Sequence, residues 1–245
     1  MRYLVILFLC CALGASAQDD EDFGSSNGAN FEPMPEEQSG GVGWGLKGGL
    51  TIANQRWNFT QKEPLFTYHG ALHVDVMGGW KGREGKKTMQ RYGFMAQLGY
   101  HQRGSRYRNW FVGSQKLKDV FHNISLGAGG KGCFLVGGQN ILYYGFGLRL
   151  EVTAAQRLVY STHASLVNRF NYGLFLLGGV EFNLPKSPLG LILEVNISPD
   201  ISRQVYMPPG IYIGDNLVTG DPLYSVEEKV INLSLEVSAG FRFGN

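Results

Sequence analysis

The stretch SLGAGGKGC, Ser125 to Cys133, sets four glycines around a lysine, the residue types of a phosphate-cradling loop. Such a loop needs G-x-x-x-x-G-K-[ST] between a strand and a helix, so that backbone N–H groups and the lysine meet the phosphates. With Lys131 as that lysine, Ser125 stands where the first glycine belongs and Gly132 where the hydroxyl belongs. No helical pattern follows, so no nucleotide is expected as a ligand. The histidines offer a second chemistry. His69, His73 and Asp75 share one strand face, and His73, Asp75 and His101 make a conceivable metal constellation. Strand histidines satisfied by hydrogen bonds are the commoner arrangement, and no metal is expected. Cys133 is a nucleophile by type, but no base and orienting group is evident beside it. The expectation is a protein without catalytic residues, metal or other cofactor.

The elements that hold these residues decide what they do. The chain has 245 residues, 35 of them glycine, with 13% aromatics and 17% charged residues. An ordinary soluble domain carries about 25% charged residues. The composition therefore suggests many strands and turns with a surface that is not fully wetted. The basic residues are spread through the chain with no module signature, and no nucleic acid is expected as a partner.

MRYLVILFLCCALGASAQ reads as an export leader: Arg2, an apolar run from Leu4 to Ala15, and the small-residue site Ala15-Ser16-Ala17. The run is shorter than the about 20 residues that a spanning helix needs. Cleavage after residue 17 would leave Cys133 as the one cysteine, so no intrachain disulfide is expected. Residues 18–41 are rich in Gly, Ser and Pro and hold seven acids: Asp19, Asp20, Glu21, Asp22, Glu32, Glu36 and Glu37. They are expected to form an acidic, disordered periplasmic tail. The remainder, 42–245, is basic. Opposite charges predict a loose, salt-screened contact between the tail and the turn Lys81–Lys87.

From Val42 onward, eight segments alternate with period two: Val42–Gln55, Phe66–Lys81, Arg91–Arg103, Phe121–Val136, Ile141–Gln156, Asn168–Leu184, Leu189–Ser202 and Val230–Gly244. In the last of them Ile231, Leu233, Leu235, Val237, Ala239, Phe241 and Phe243 oppose Asn232, Ser234, Glu236, Ser238, Gly240 and Arg242. A soluble ligand-binding barrel alternates as well, with its apolar face inside. Three features favour the inverse orientation, with lipid outside. The polar face is built of Gly, Ser, Asn and single charges. Trp44, Tyr68, Trp80, Tyr92, Tyr100 and Tyr172 gather near strand ends, as interfacial girdles do. Longer connections alternate with shorter ones, as outer loops alternate with periplasmic turns.

These features predict an all-β, eight-stranded, antiparallel up-and-down transmembrane barrel, with outer-membrane lipid as its surroundings. A barrel of eight strands is filled by its own side chains. Lys47, Asp75, Lys131, Arg149, Glu151, Glu181, Glu194, Glu236 and Arg242 are expected to form a lumen network of opposite charges. Unpaired burial would cost several kcal/mol each, so pairing is expected in place of an open pore. The glycines of Ser125–Cys133 become a curvature device within the fourth strand, leaving room for Tyr144 and Phe146 of the next.

GLKGGLTIAN (Gly45–Asn54) and GFMAQLGYHQRGSRY (Gly93–Tyr107) resemble the opening and the third strand of PorT-like outer-membrane barrels of Bacteroidota. The resemblance covers residues 42–245. It implies the barrel fold, residence in the cell outer membrane, and a place in an envelope or secretion assembly of the type IX kind. It identifies no ligand.

The last long connection, Gln204–Lys229, is too apolar for a freely solvated loop. Tyr206, Met207, Ile211, Tyr212 and Tyr224 are its interaction candidates. Two roles stay open for it, a plug over the barrel mouth and a partner-binding surface. The functional expectation is a non-enzymatic structural or interaction component of the envelope. A narrow porin or small-solute channel is the alternative.

Overall fold

The computed structural model describes residues 40–57, 62–82, 89–109, 115–136, 140–159, 166–184, 187–210, 212–216 and 219–244. The leader, the tail up to residue 39, most of the turn Lys81–Lys87 and Ile211 lie outside the described residues.

The described residues form twelve strands: β1 (Gly41–Trp57), β2 (Glu63–Met77), β3 (Lys81–Gly82), β4 (Met89–Asn109), β5 (Gln115–Val136), β6 (Asn140–Arg157), β7 (Phe170–Asn183), β8 (Leu189–Pro199), β9 (Val205–Met207), β10 (Tyr212–Asp215), β11 (Pro222–Tyr224) and β12 (Glu228–Phe243). Eight of them form the barrel in the order β1-β2-β4-β5-β6-β7-β8-β12, every pairing antiparallel. The sheet closes where β1 meets β12 from Trp44↔Phe243 to Trp57↔Val230. Closure leaves no edge unpaired, which a sheet in hydrocarbon requires.

The alternation resolves into two faces. On β6, Leu142, Tyr144, Phe146, Leu148, Leu150 and Val152 face outward with 39–65% of their surface exposed, while Tyr143, Arg149, Glu151 and Thr153 are buried. Ten residue steps at about 3.3 Å, on strands tilted about 40°, make a band about 25 Å high. That is the height of the apolar belt on a membrane barrel. Leu46, Leu50, Val74, Phe94, Leu98, Leu126, Leu174, Leu193, Val237 and Phe241 carry the belt around the wall. A water-soluble protein rarely exposes more than a few hundred Å² of contiguous apolar surface. Water cannot be the solvent of such a wall; hydrocarbon can.

At the short-turn end the belt meets Trp44 stacked on Phe243 at 4.6 Å, together with Tyr92 and Tyr144. Tyr68 and Tyr172 mark the other border. Trp80 departs from the girdle expected of it. It lies past the end of β2 and turns beneath the barrel, 8% exposed, with the Arg91 guanidinium 4.5 Å from its ring centroid.

Two strands outrun their expected ends. β4 and β5 pair from Gln90↔Phe134 to Asn109↔Gln115, so the connection expected to be long contracts to 110–114. Past Arg103 the outward positions Gly104 and Arg106 are not apolar, which hides the extension from an apolar-alternation reading, but the backbone ladder continues to Asn109.

Ser125–Cys133 lies within β5, in register with Gly99–Arg91 on one side and Glu151–Tyr143 on the other. No helix adjoins it among the described residues. Gly132 and Gly130 face outward opposite Tyr144 and Phe146. A Cβ at Gly132 would sit 2.5 Å from the Tyr144 ring, so that ring lies directly on the bare backbone. Cys133 is 2% exposed within a buried cluster of Met77, Trp80, Met95, Ile141, Tyr143, Phe175, Leu177 and Ile192. We expect its thiol to resist maleimide in the folded barrel and to react on denaturation; rapid labelling of the folded chain would contradict this packing.

Candidate functional site

The inward positions of the eight strands bring charges together at three levels of the lumen. At the short-turn level Asp75 of β2 accepts from Lys131 Nζ at 2.5 Å and from Arg242 Nη2 at 2.9 Å. Arg242 Nη1 reaches on to Glu181 at 3.2 Å. In the middle, Lys47 Nζ meets Glu194 at 2.5 Å, and the Tyr143 hydroxyl donates to the other Glu194 oxygen at 3.0 Å. Lys131 also stands over the Tyr143 ring at 4.6 Å, linking the two levels.

The long-loop level is the densest. Arg103 donates to Asp200 at 2.7 Å and to Ser234 at 2.8 Å, with Glu151 at 3.2 Å. Arg149 donates to Asp200 at 2.6 Å and pairs with Glu151. His101 lies between Glu151 at 3.1 Å and Glu236 at 3.4 Å. Above this level side-chain amides bridge the lumen. Asn232 donates to Gln204 and to Asp200, each at 2.7 Å, and Gln204 donates to Thr153 at 2.9 Å.

All nine charged residues singled out from the sequence therefore face the lumen and are buried. Arg103, Asp200 and Arg91 stand with them and were missed. Strand parity could have found them, since Arg91 and Arg103 share the parity of Met95 and His101, and Asp200 that of Glu194 and Asn196. Each lumen carboxylate has a cationic or imidazole neighbour, the arrangement that offsets the several kcal/mol of burying an ion.

The metal constellation does not assemble. Asp75 gives both oxygens to Lys131 and Arg242. His101 is held by Glu151 and Glu236, and His69 lies within hydrogen-bond reach of Thr51 and Ser238. No group of three His, Cys, Asp or Glu among the described residues could hold a metal ion. A cavity lined by Lys47, His69, Gln97, His101, Arg149 and Glu236, among others, has about 20 Å³ of space, enough for a water or so.

The last long connection begins as a continuation of the wall. After Pro199 the chain bends at Asp200 and resumes as β9, paired with β12 at Val205↔Val230 and bridged to Val167. Gln204 and Val205 thus extend the wall, with Gln204 inward. Tyr206 lies under the Arg203 guanidinium at 5.0 Å, and Met207 pairs with Glu228. Beyond them β10 and β11 form a hairpin in which Tyr212 meets Tyr224 edge to face at 6.3 Å. Both rings stay more than half exposed, as does Val226. Asp215 accepts the Tyr212 hydroxyl at 2.8 Å, which pushes the phenol's pKa up.

No family model and no curated protein matches the chain. Among solved structures it is similar to Neisserial surface protein A (16% identity, TM-score 0.44, covering 82% of this chain and 96% of that one). It is also similar to the outer membrane protein OprG from Pseudomonas aeruginosa (10% identity, TM-score 0.48, 85% and 97%). A third is Ail, the attachment invasion locus protein of Yersinia pestis (12% identity, TM-score 0.39, 84% and 100%), in complex with a heparin analogue. These are likenesses of general outline, and the eight-stranded closed barrel rests on the strand register itself.

Proposed function

We propose that this chain is an integral outer-membrane barrel that does not conduct, and that it serves the envelope as a structural and interaction component through its long-loop end. The observation that carries this reading is the combination of an apolar outer wall with a lumen filled by cross-strand ion pairs. The exposed hairpin bearing Tyr212 and Tyr224 is the partner surface, because paired aromatic rings left in water are what interfaces bury. The resemblance of Gly45–Asn54 and Gly93–Tyr107 to PorT-like barrels suggests a secretion assembly as the setting.

Two experiments test the proposal. The protein is expected to sediment with outer membranes and to resist carbonate extraction; recovery in the soluble periplasmic fraction would sink the location. Envelope proteins recovered by affinity purification from native membranes are expected to fall several-fold when Tyr212 and Tyr224 are both changed to Ala, because aromatic residues dominate binding energy at interfaces. Equal recovery with both chains would remove the hairpin from the function.

A further inference from the structure

The outer wall of the barrel carries a polar cluster where the belt ends toward the long loops. Tyr100 and His122 are joined at 2.7 Å, and Gln102 donates to the Tyr68 hydroxyl at 2.9 Å and to that of Tyr100 at 3.2 Å. The Tyr68 and Tyr100 rings lie 6.2 Å apart on neighbouring strands, and Tyr68 is 56% exposed. Apolar belt residues lie directly below, Leu98 and Ile124 among them. The cluster therefore sits where hydrocarbon gives way to headgroups.

Cations stand just above it. His122 of β5 pairs with Gln102; two residues further up Val120 pairs with Arg157, and two beyond that Lys118 pairs with Arg106. Two strand residues span about 7 Å, so cationic rows lie about 7 and 14 Å above the aromatic cluster. Arg106 is engaged by Glu63 at 2.9 Å. Lys118 and Arg157 are exposed and have no ion-pair partner among the described residues. At the short-turn end the outward groups are Trp44, Tyr92, Tyr144 and Phe243, with Lys81 as the exposed charge among the described residues there.

We propose that this face of β2, β4, β5 and β6 binds the phosphorylated sugar headgroup of a glycolipid in the outer leaflet. Tyr68 and Tyr100 present ring faces and hydroxyls to the sugar, Gln102 and His122 hold those hydroxyls in place, and Lys118 and Arg157 meet the phosphates. Charge complementarity selects the anion, and the aromatic shelf selects the sugar over a plain phospholipid. The inference rests on the proposed orientation, with the long loops outside.

The test uses the full barrel in nanodiscs, titrated with bisphosphorylated lipid A and, separately, with phosphatidylglycerol. Wild type is expected to prefer lipid A. The double variant K118Q/R157Q should lose roughly tenfold in lipid A affinity, since charge-assisted contacts to phosphate are lost, and the remaining binding should be less sensitive to salt. Tyr68→Ala should weaken lipid A and leave phosphatidylglycerol unchanged. Equal lipid A affinity for wild type and double variant overturns the site. Parallel loss for both lipids reduces it to a general anionic attraction and overturns the sugar assignment. Heat-modifiable migration establishes that each variant is folded. Binding by a chain that fractionates away from the outer membrane would sink the location and leave the site standing; no binding by one that resides there sinks the site alone.

Discussion

Replacing Gly129 with Val is expected to prevent the barrel from assembling. Gly129 lies inward on β5 opposite Gly147 of β6. A Cβ at Gly129 would run into the Phe146 carbonyl oxygen and come within 2.6 Å of the Gly147 Cα. Both obstacles are backbone, which cannot rotate aside as a side chain would. Relief would require separating two strands whose hydrogen bonds close the barrel, and in hydrocarbon each unsatisfied backbone group costs several kcal/mol. The expected result is loss of the compact, heat-modifiable form and of outer-membrane accumulation. Gly178→Ala is the control, because a Cβ there meets only the Tyr143 carbonyl oxygen at 3.9 Å. A folded Gly129→Val barrel at wild-type levels would show that the wall gives more than its register allows.

The second large effect belongs to Asp75. Its carboxylate is 0% exposed and bears both Lys131 and Arg242. Asp75→Asn keeps the shape and removes the charge, leaving Lys131 without its anion and Arg242 with Glu181 alone. Removing one partner of a buried pair costs about 3–5 kcal/mol, most of it the burden of the charge left behind. Equilibrium unfolding in urea from lipid vesicles should show that loss. Removing a facing cation as well, in D75N/K131Q, should restore part of it. A single variant within about 1 kcal/mol of wild type would mean that water already reaches these groups and that the lumen is wetter than its packing indicates.

Much of this was legible in the sequence, for a definite reason. Side-chain period on a strand is two, so parity alone assigns Leu148 outward and Arg149 inward once the strand is recognised. The same rule places Lys47, Asp75 and Glu236 in the lumen. Which charges meet is a different matter. Lys47 and Glu194 come from β1 and β8, which are not neighbours in the wall, and Arg103 reaches Asp200 across the lumen from β4. Those pairings follow from barrel diameter and strand stagger, which parity does not encode. Trp80 was misplaced for a related reason: past the last residue of β2 the alternation no longer fixes a side, and the chain turned the ring under the barrel. The Gln204–Lys229 connection reads as one loop because the chain bends after Pro199, although the inward period continues through Asp200, Ser202 and Gln204; the bend hides that β9 resumes the wall of β8.

The central claim is that the lumen is sealed by its own ion pairs, and single-channel recording tests it most directly. Purified barrel inserted into planar bilayers at 1 M salt should raise no measurable leak, because buried ion pairs crossing the lumen at three levels leave no path for a hydrated ion. Steady, repeated conductance steps from the folded wild-type chain would contradict the account and return the protein to the channels.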